Sequence, residues 1–178
     1  MKIGLVRHFK VDIKRNRFMT AKEYNEYQYN YDRANVIKNE LIVDSDWDKC
    51  YCSSMDRAII TAKTIYHGEI ILTDKLVEIP SAAYLDINIK LPYHFWFFLG
   101  RLAWALNSAV QPESSNITKK RISEVVDMAL KDQEKNVLIV SHAGVMYELR
   151  KILLSRGFKG KKFLKANNGS LYVYEKNI

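Results

Sequence analysis

The stretch Gly4-Leu5-Val6-Arg7-His8 ends the first strand-like run of the sequence. The apolar run from Ile3 to Val6 predicts a buried strand, with Arg7 and His8 following at its carboxyl end. Ligands bind at this end of the strands in open α/β sheets. A guanidinium can hold phosphate oxygens and an imidazole nitrogen can attack phosphorus, so the pair suits phosphoryl chemistry. Alone, an Arg-His pair is more typical of a solvated loop than of a site.

Length and composition indicate one globular domain. The chain has 178 residues, of which 48% are hydrophobic and 27% charged; this suits a domain with a substantial core. The formal net charge of +8 favours an anionic partner, and a small phosphorylated substrate is the partner we expect. The basic residues are dispersed and no recognition module is visible, so nucleic-acid binding is not expected.

Cysteine usage and the N-terminus point to a reducing cytoplasm. Cys50 and Cys52 lie on one side of a predicted strand, where they are interpreted as small buried residues rather than a disulfide or a metal pair. The apolar run that begins at Ile3 is broken at Arg7, which makes it too short for a signal peptide.

Strand-like and helix-like segments alternate along the chain. A capping box, Thr20 to Glu23, opens a Tyr-rich helix that runs towards Asn39. This alternation predicts an α/β three-layer sandwich, with a mostly parallel central sheet and helices on both faces. The other predicted elements are strands at 47–52, 70–73, 137–140 and 170–174, and helices at 56–65, from 112 onwards, and from 142 to about 155.

An aromatic segment at about 80–112 interrupts this alternation. We interpret it as a mostly helical insertion that covers the site, within a single domain spanning 1–178. A helix that binds a membrane surface or a protein partner is the alternative. His94, Arg101 and Asn107 interrupt its apolar residues, so stable membrane insertion is not expected.

Two further segments place basic groups after predicted strands. Ser53 or Ser54 is expected to cap the helix that starts at Asp56, which leaves Arg57 in its first turn. A cation is unfavourable there unless an anion binds, because the helix dipole is positive at that end. His142 follows the buried strand at 137–140. Strand ends therefore bring two arginines and two histidines to one edge of the sheet, where they can form a pocket for a dianion.

These motifs together resemble the histidine phosphatase superfamily, the phosphoglycerate-mutase-like branch 1. The family signature of Arg-His after the first strand is Arg7-His8 here. It continues, in the family's order, with the turn and helix of 53–62, Leu-x-Glu at 76–78, Glu113-Ser114 with a later Arg121, and Ser-His-x-Gly-Val at 141–145. Each motif is weak alone, and jointly they are specific.

The resemblance implies a metal-independent phosphomonoesterase without a cofactor. Its catalytic residues would be His8, Glu78, His142, Arg7 and Arg57. His8 would attack phosphorus and form a phosphohistidine. Arg7, Arg57 and a protonated His142 would hold the phosphoryl oxygens. Glu78 would protonate the leaving oxygen and then activate water.

Asp74 or Asp86 could replace Glu78 as the acid.

The loop after His8 departs from the family pattern. Gly, often followed by Glu-Thr, is usual after Arg-His, whereas this chain has Phe9-Lys10-Val11; a loop of different shape is therefore expected. Lys14 is expected to contact phosphate where the family has Asn.

Several functions remain as alternatives at this point. They are a phosphoglycerate mutase, a protein-phosphohistidine phosphatase, and a degenerate member that binds phosphorylated ligands without turnover. The altered loop after His8 favours the last of these.

Overall fold

A computed structural model of the protein describes residues 1–39, 41, 43, 46–131 and 136–177. These residues form ten strands, five α-helices and a 3₁₀ turn at Asp74–Leu76. The strands are β1 (Lys2–Arg7), β2 (Lys10–Val11), β3 (Phe18–Met19), β4 (Val36–Ile37), β5 (Lys49–Ser53), β6 (Ile70–Thr73), β7 (Leu91–Pro92), β8 (Val137–Ser141), β9 (Lys159–Gly160) and β10 (Leu171–Glu175). The helices are α1 (Ala21–Arg33), α2 (Asp56–Ile65), α3 (Tyr93–Ala105), α4 (Ser115–Leu130) and α5 (Ala143–Ser155).

The chain divides into two units with dense internal contacts. The sheet unit comprises Met1–Lys10, Val36–Glu78 and Arg121–Ile178, and the helical unit comprises Val11–Asn35 and Ile79–Lys120. The insertion predicted at 80–112 falls in the second segment of the helical unit. Its role as a cover, and the single-domain boundary, stay predictions.

The sheet unit is built on a six-stranded sheet of order β6-β5-β8-β1-β10-β9. β6, β5, β8 and β1 are parallel, whereas β10 runs antiparallel to β1 and to β9. β8 is buried at all five residues because its apolar run lies in the middle of the sheet. The predicted α/β fold with a mostly parallel central sheet is confirmed.

One glycine in the first strand is required by close packing. A Cβ on Gly4 would lie 2.6 Å from Cη2 of Trp47, closer than non-bonded carbon atoms approach. The indole therefore packs directly on the backbone of β1. Val6, Cys50 and Cys52 belong to the same core, and both cysteines are free thiols, as the sequence indicated.

Helix boundaries agree with the sequence at α2 and differ at α1. α2 has the predicted limits, and the predicted capping box at Thr20 is present, with reciprocal hydrogen bonds to Glu23. α1 ends at Arg33, however, short of the predicted Asn39. Two β-branched residues, Val36 and Ile37, form a short strand there instead, as their strand propensity favours.

The helical unit packs α1 and α3 around a small apolar core. Met19, Ala21, Tyr24 and Trp96 are buried together. Trp96 Nε1 donates to the Met19 carbonyl at 2.7 Å, which satisfies the one polar atom of the buried indole. β3 and β7 pair in antiparallel fashion beside this core.

The insertion is less helical than predicted. α3 occupies only 93–105, and 81–90 contain no helix or strand. Side chains hold that backbone instead: Gln111 exchanges two hydrogen bonds with Ala82, and the Ala83 N–H donates to Asn25 Oδ1 at 2.8 Å. Across the described ranges, none of the helices has the length and apolar character required to cross a bilayer.

Candidate active site

The carboxyl ends of β1 and β8 place two histidines side by side. Arg7 pairs in register with Ser141, and the His8 N–H donates to the Ser141 carbonyl at 2.9 Å. His142 follows directly and begins α5 as its N-cap. The rings of His8 and His142 lie 5.0 Å apart between centroids.

His8 is held in one tautomer by its own neighbour. Nδ1 lies 2.6 Å from the Phe9 carbonyl oxygen. A carbonyl only accepts, so Nδ1 carries the proton and donates. Burial, with a smaller effect from the charges of Arg57 and Arg7, lowers the pKa of His8 from 6.5 to about 3. The imidazole is therefore neutral at ordinary pH, with its lone pair on Nε2.

His142 lies between an arginine and a serine in the interior. Arg57 Nε donates to His142 Nδ1 at 3.2 Å, so the proton of the neutral ring lies on Nε2, which is 2.8 Å from Ser53 Oγ. Burial holds the pKa of His142 well below its ordinary value, with smaller effects from His8 and Arg57. His142 is thus neutral in the unliganded protein, and a protonated His142 on a bound phosphoryl group stays a prediction.

Arg7 retains one unsatisfied donor. Its Nη1 donates to the Ala166 carbonyl at 2.8 Å, whereas its Nε is buried and has no hydrogen-bond partner. A buried cationic N–H without an acceptor is costly. The Arg7 guanidinium is therefore held in place by its hydrogen bond to Ala166, with one enclosed donor left unused.

Glu78 is next to the start of α5. Its Oε2 accepts from the Gly144 N–H at 3.3 Å, and the side chain is half-buried. The Ser141 hydroxyl donates to the Leu76 carbonyl at 2.7 Å, which fixes the turn preceding Glu78 to the end of β8. A carboxyl group is thereby held at the first turn of α5, which begins directly after His142.

The rival acids and the predicted lysine lie in different settings. Asp74 accepts a hydrogen bond from the Ser54 hydroxyl. Asp86 and Lys14 belong to the helical unit and are both exposed. Phosphate binding by Lys14 stays a prediction. In the described part of the chain, no cluster of three or more His, Cys, Asp or Glu side chains could hold a metal ion.

The segment 166–169, which sequence reasoning missed, supports the nucleophile loop. Asn168 Nδ2 donates to the His8 carbonyl at 2.8 Å and to the Phe9 carbonyl at 3.3 Å. The Gly169 N–H donates to the Arg7 carbonyl at 2.9 Å. Three consecutive carbonyls are thus bound by one segment, which we call the brace. The only sequence signal is Asn-Asn-Gly ahead of the last strand.

Phe9 fits because the brace carries a glycine. The ring is fully buried, and a Cβ on Gly169 would lie 3.1 Å from Phe9 Cδ1. Gly169 has φ +59°, a left-handed conformation that glycine adopts most easily. Among the described non-glycine residues only Asn107 has a positive φ, so Phe9 needs no glycine-like backbone.

The predicted serine cap of α2 is wrong. The N-cap is Met55, which makes no side-chain capping bond. Ser53 Oγ contacts His142, and the Ser54 hydroxyl donates to Asp74. Ser53 Oγ also accepts from the N–H of Met55 at 3.3 Å, ahead of the first turn of α2. Arg57 still lies in that first turn, as predicted.

Comparison with known proteins agrees with this geometry. The family model of the histidine phosphatase superfamily (branch 1) matches residues 36–177. That range includes Arg57, Glu78 and His142 and begins after Phe9, where the chain departs from the family pattern. No curated protein matches the chain.

Solved structures of similar fold cover nearly the whole chain. The alpha-ribazole phosphatase from Shigella flexneri has a TM-score of 0.62 at 16% identity, covering 99% of this chain and 91% of that one. Bacillus stearothermophilus YhfR has a TM-score of 0.59 at 18% identity, with coverage of 99% and 91%. The phosphoserine phosphatase from Entamoeba histolytica, in complex with 3-phosphoglyceric acid, has a TM-score of 0.55 at 18% identity, with coverage of 97% and 89%. At these identities the likeness shows the fold.

Proposed function

Because the chain belongs to the histidine phosphatase superfamily (branch 1), a family of phosphatases, we propose that it is a metal-independent phosphomonoesterase acting on a small phosphorylated substrate. The observation that carries the proposal is the state of His8: a buried neutral imidazole with Nδ1–H fixed on the Phe9 carbonyl and the Nε2 lone pair free to react. Two of the similar structures are named phosphatases, which supports phosphoester hydrolysis as the reaction class.

The first step transfers the phosphoryl group to His8. Nε2 attacks phosphorus, a P–N bond forms, and the bond from phosphorus to the leaving oxygen breaks. Glu78, in its acid form, gives its proton to that oxygen. The leaving group departs as an alcohol, and the hydrogen bond from Nδ1 to the Phe9 carbonyl stabilises the charge that the ring gains.

The second step returns the enzyme to its starting state. The Glu78 carboxylate takes a proton from water, and the water oxygen attacks phosphorus. The P–N bond breaks, its electron pair returns to Nε2, and inorganic phosphate is released. Glu78 is then protonated again for the next cycle.

The arginines stabilise charge on the transferring group. Arg57 is 2% exposed, so its charge acts in a medium that screens it weakly. Arg7 adds a second guanidinium at the end of β1, with Nη1 fixed on the Ala166 carbonyl. A bound phosphoryl dianion would raise the pKa of His142, and a ring that is neutral beforehand can then take up a proton and add a second donor.

The test is turnover of p-nitrophenyl phosphate in the presence of EDTA. We expect His8→Asn to abolish turnover, because Asn cannot attack phosphorus although its amide can replace the Nδ1 donor. His67→Asn, which changes an exposed histidine after α2, is the matched control and should retain the wild-type rate. Wild-type turnover by His8→Asn would refute the nucleophile assignment.

Three further measurements separate the alternative functions: covalent trapping, a substrate panel and a mutase assay. With p-nitrophenyl phosphate, whose leaving group needs no proton from Glu78, Glu78→Gln should slow only the second step. It should then accumulate protein-bound phosphate that is lost in acid and retained in alkali, as expected for phosphohistidine. Phosphate binding without turnover over a broad substrate panel would instead favour a ligand-binding role. Conversion of 3- to 2-phosphoglycerate would favour a mutase.

A further inference from the structure

Helix α3 is apolar on its solvent side as well as on its buried side. Trp96, Gly100 and Ala103 face the interior. On the opposite side, Phe95, Phe98, Leu102 and Leu106 recur at intervals of three and four residues, and all four are exposed. Phe98 is 64% and Leu106 72% exposed. We call these four side chains the outer stripe. Solvent-side positions of a surface helix are ordinarily polar, so this stripe points to a partner.

Cations border the outer stripe along one edge. The Arg15 guanidinium lies 4.3 Å from the centre of the Tyr93 ring. Tyr93 stacks on Phe97 at 6.1 Å, and the Arg101 guanidinium lies 5.1 Å from the Phe97 ring. Tyr93, Phe97 and Arg101 are four residues apart, so they form one row on the helix between its buried side and the stripe.

The border is cationic without compensating acids on the helix. α3 contains no Asp or Glu. The exposed loop before β3 carries Lys14, Arg15 and Arg17, and the Arg17 carbonyl accepts from the Tyr93 N–H at 3.0 Å. This basic loop is thereby fixed to the first turn of α3.

We propose that the outer stripe and its cationic border form a peripheral docking surface for an anionic lipid bilayer. Large apolar side chains with Lys and Arg alongside are the chemistry of helices that lie in the bilayer interface. At 13 residues α3 is about 20 Å long, against about 30 Å of hydrocarbon, so it lies along the surface and does not cross it. Face-to-face contact with a second copy would bring like charges together, which favours the bilayer as the occupant.

The experiment is co-sedimentation of the full chain with vesicles. We expect binding to phosphatidylcholine vesicles that contain one-third phosphatidylglycerol, and much weaker binding to phosphatidylcholine alone. Phe98→Glu should reduce binding at least about tenfold, and Leu102→Glu should do the same independently. Arg15→Gln and Arg17→Gln should each reduce it about fivefold and lower its salt sensitivity.

A matched control separates the stripe from general apolar exposure. Leu72→Glu changes a leucine of similar exposure on β6 and should bind vesicles like the wild type. Equal unfolding midpoints for the variants show that the fold is kept. No vesicle binding, equal binding to neutral vesicles, or a dimer in light scattering that Phe98→Glu dissociates would overturn the proposal.

Discussion

Lowering the pH should decrease the free energy of unfolding, because His8 is buried in its neutral form. Replacing His8 should remove the part of this decrease that His8 causes. The folded-state pKa of His8 is about 3, against an ordinary value of 6.5. At pH 7 both folded and unfolded states hold a neutral ring, so its contribution to stability is fully present above pH 6.5. As pH falls below 6.5, the unfolded chain takes up a proton and the folded chain does not. The free energy of unfolding therefore decreases as the solution becomes more acidic.

The size of this effect follows from the two pKa values. Between pH 7 and pH 5 one such histidine lowers the free energy of unfolding by about 2 kcal/mol, and between pH 7 and pH 3 by about 4 kcal/mol. Urea unfolding followed by tryptophan fluorescence at pH 7 and pH 5 measures it. We expect the decrease to be about 2 kcal/mol smaller in His8→Asn than in the wild type.

An exposed histidine provides the comparison. His67 lies on the surface, so His67→Asn should show the same decrease as the wild type. Burial, the main cause of the lowered pKa of His142, is common to all the variants, so the contribution of His142 largely cancels in the difference. If His8→Asn lost as much stability as the wild type between pH 7 and pH 5, the assignment of His8 as buried and neutral would be refuted.

Three further predictions concern the brace and the core. Asn168→Ala removes two hydrogen bonds to the nucleophile loop, so kcat should fall about tenfold with less change in KM, whereas Asn167→Ala, at an exposed site, should leave both unchanged. Gly169→Ala forces a Cβ into a left-handed position against Phe9 and should cost about 1–2 kcal/mol in urea unfolding; an unchanged midpoint would contradict the packing. Burial raises the pKa of the Cys50 thiol to about 12, and burial also holds the pKa of the Cys52 thiol well above its ordinary value. Iodoacetamide at pH 8 should therefore label both only after unfolding.

Helices and strands whose limits depend on residues close together in the sequence were predicted correctly. The limits of α2 follow from its apolar periodicity, and the end of β8 follows from a continuous apolar run. Because the carboxyl ends of parallel strands meet at one edge of a sheet, the sequence also predicted that Arg7, His8 and His142 lie together there, as the structure has them. The irregular backbone of 81–90 was not predicted because its partners, the side chains of Gln111 and Asn25 and the Ala21 N–H, lie far away in sequence.

Interactions that depend on distant side chains could not be predicted. Ser53 has the residue type of a helix cap, and only the packed structure shows its hydroxyl against His142. The neutral state of His142 likewise depends on its burial and on the hydrogen bond from Arg57 Nε to its Nδ1. No sequence pattern predicts either of them. Asn168 lies 160 residues from the carbonyl it binds, beyond the range of any periodicity argument.

The 160 residues between His8 and Asn168 affect the order in which the site can form during synthesis. The His8 imidazole is synthesised 160 residues before the Asn168 amide that binds its loop. Both strands that flank β1, namely β8 and β10, are also made long after it, so β1 has no partner in the sheet until then. The loop after β1 can therefore take its final shape only after residues 137–175 have been translated.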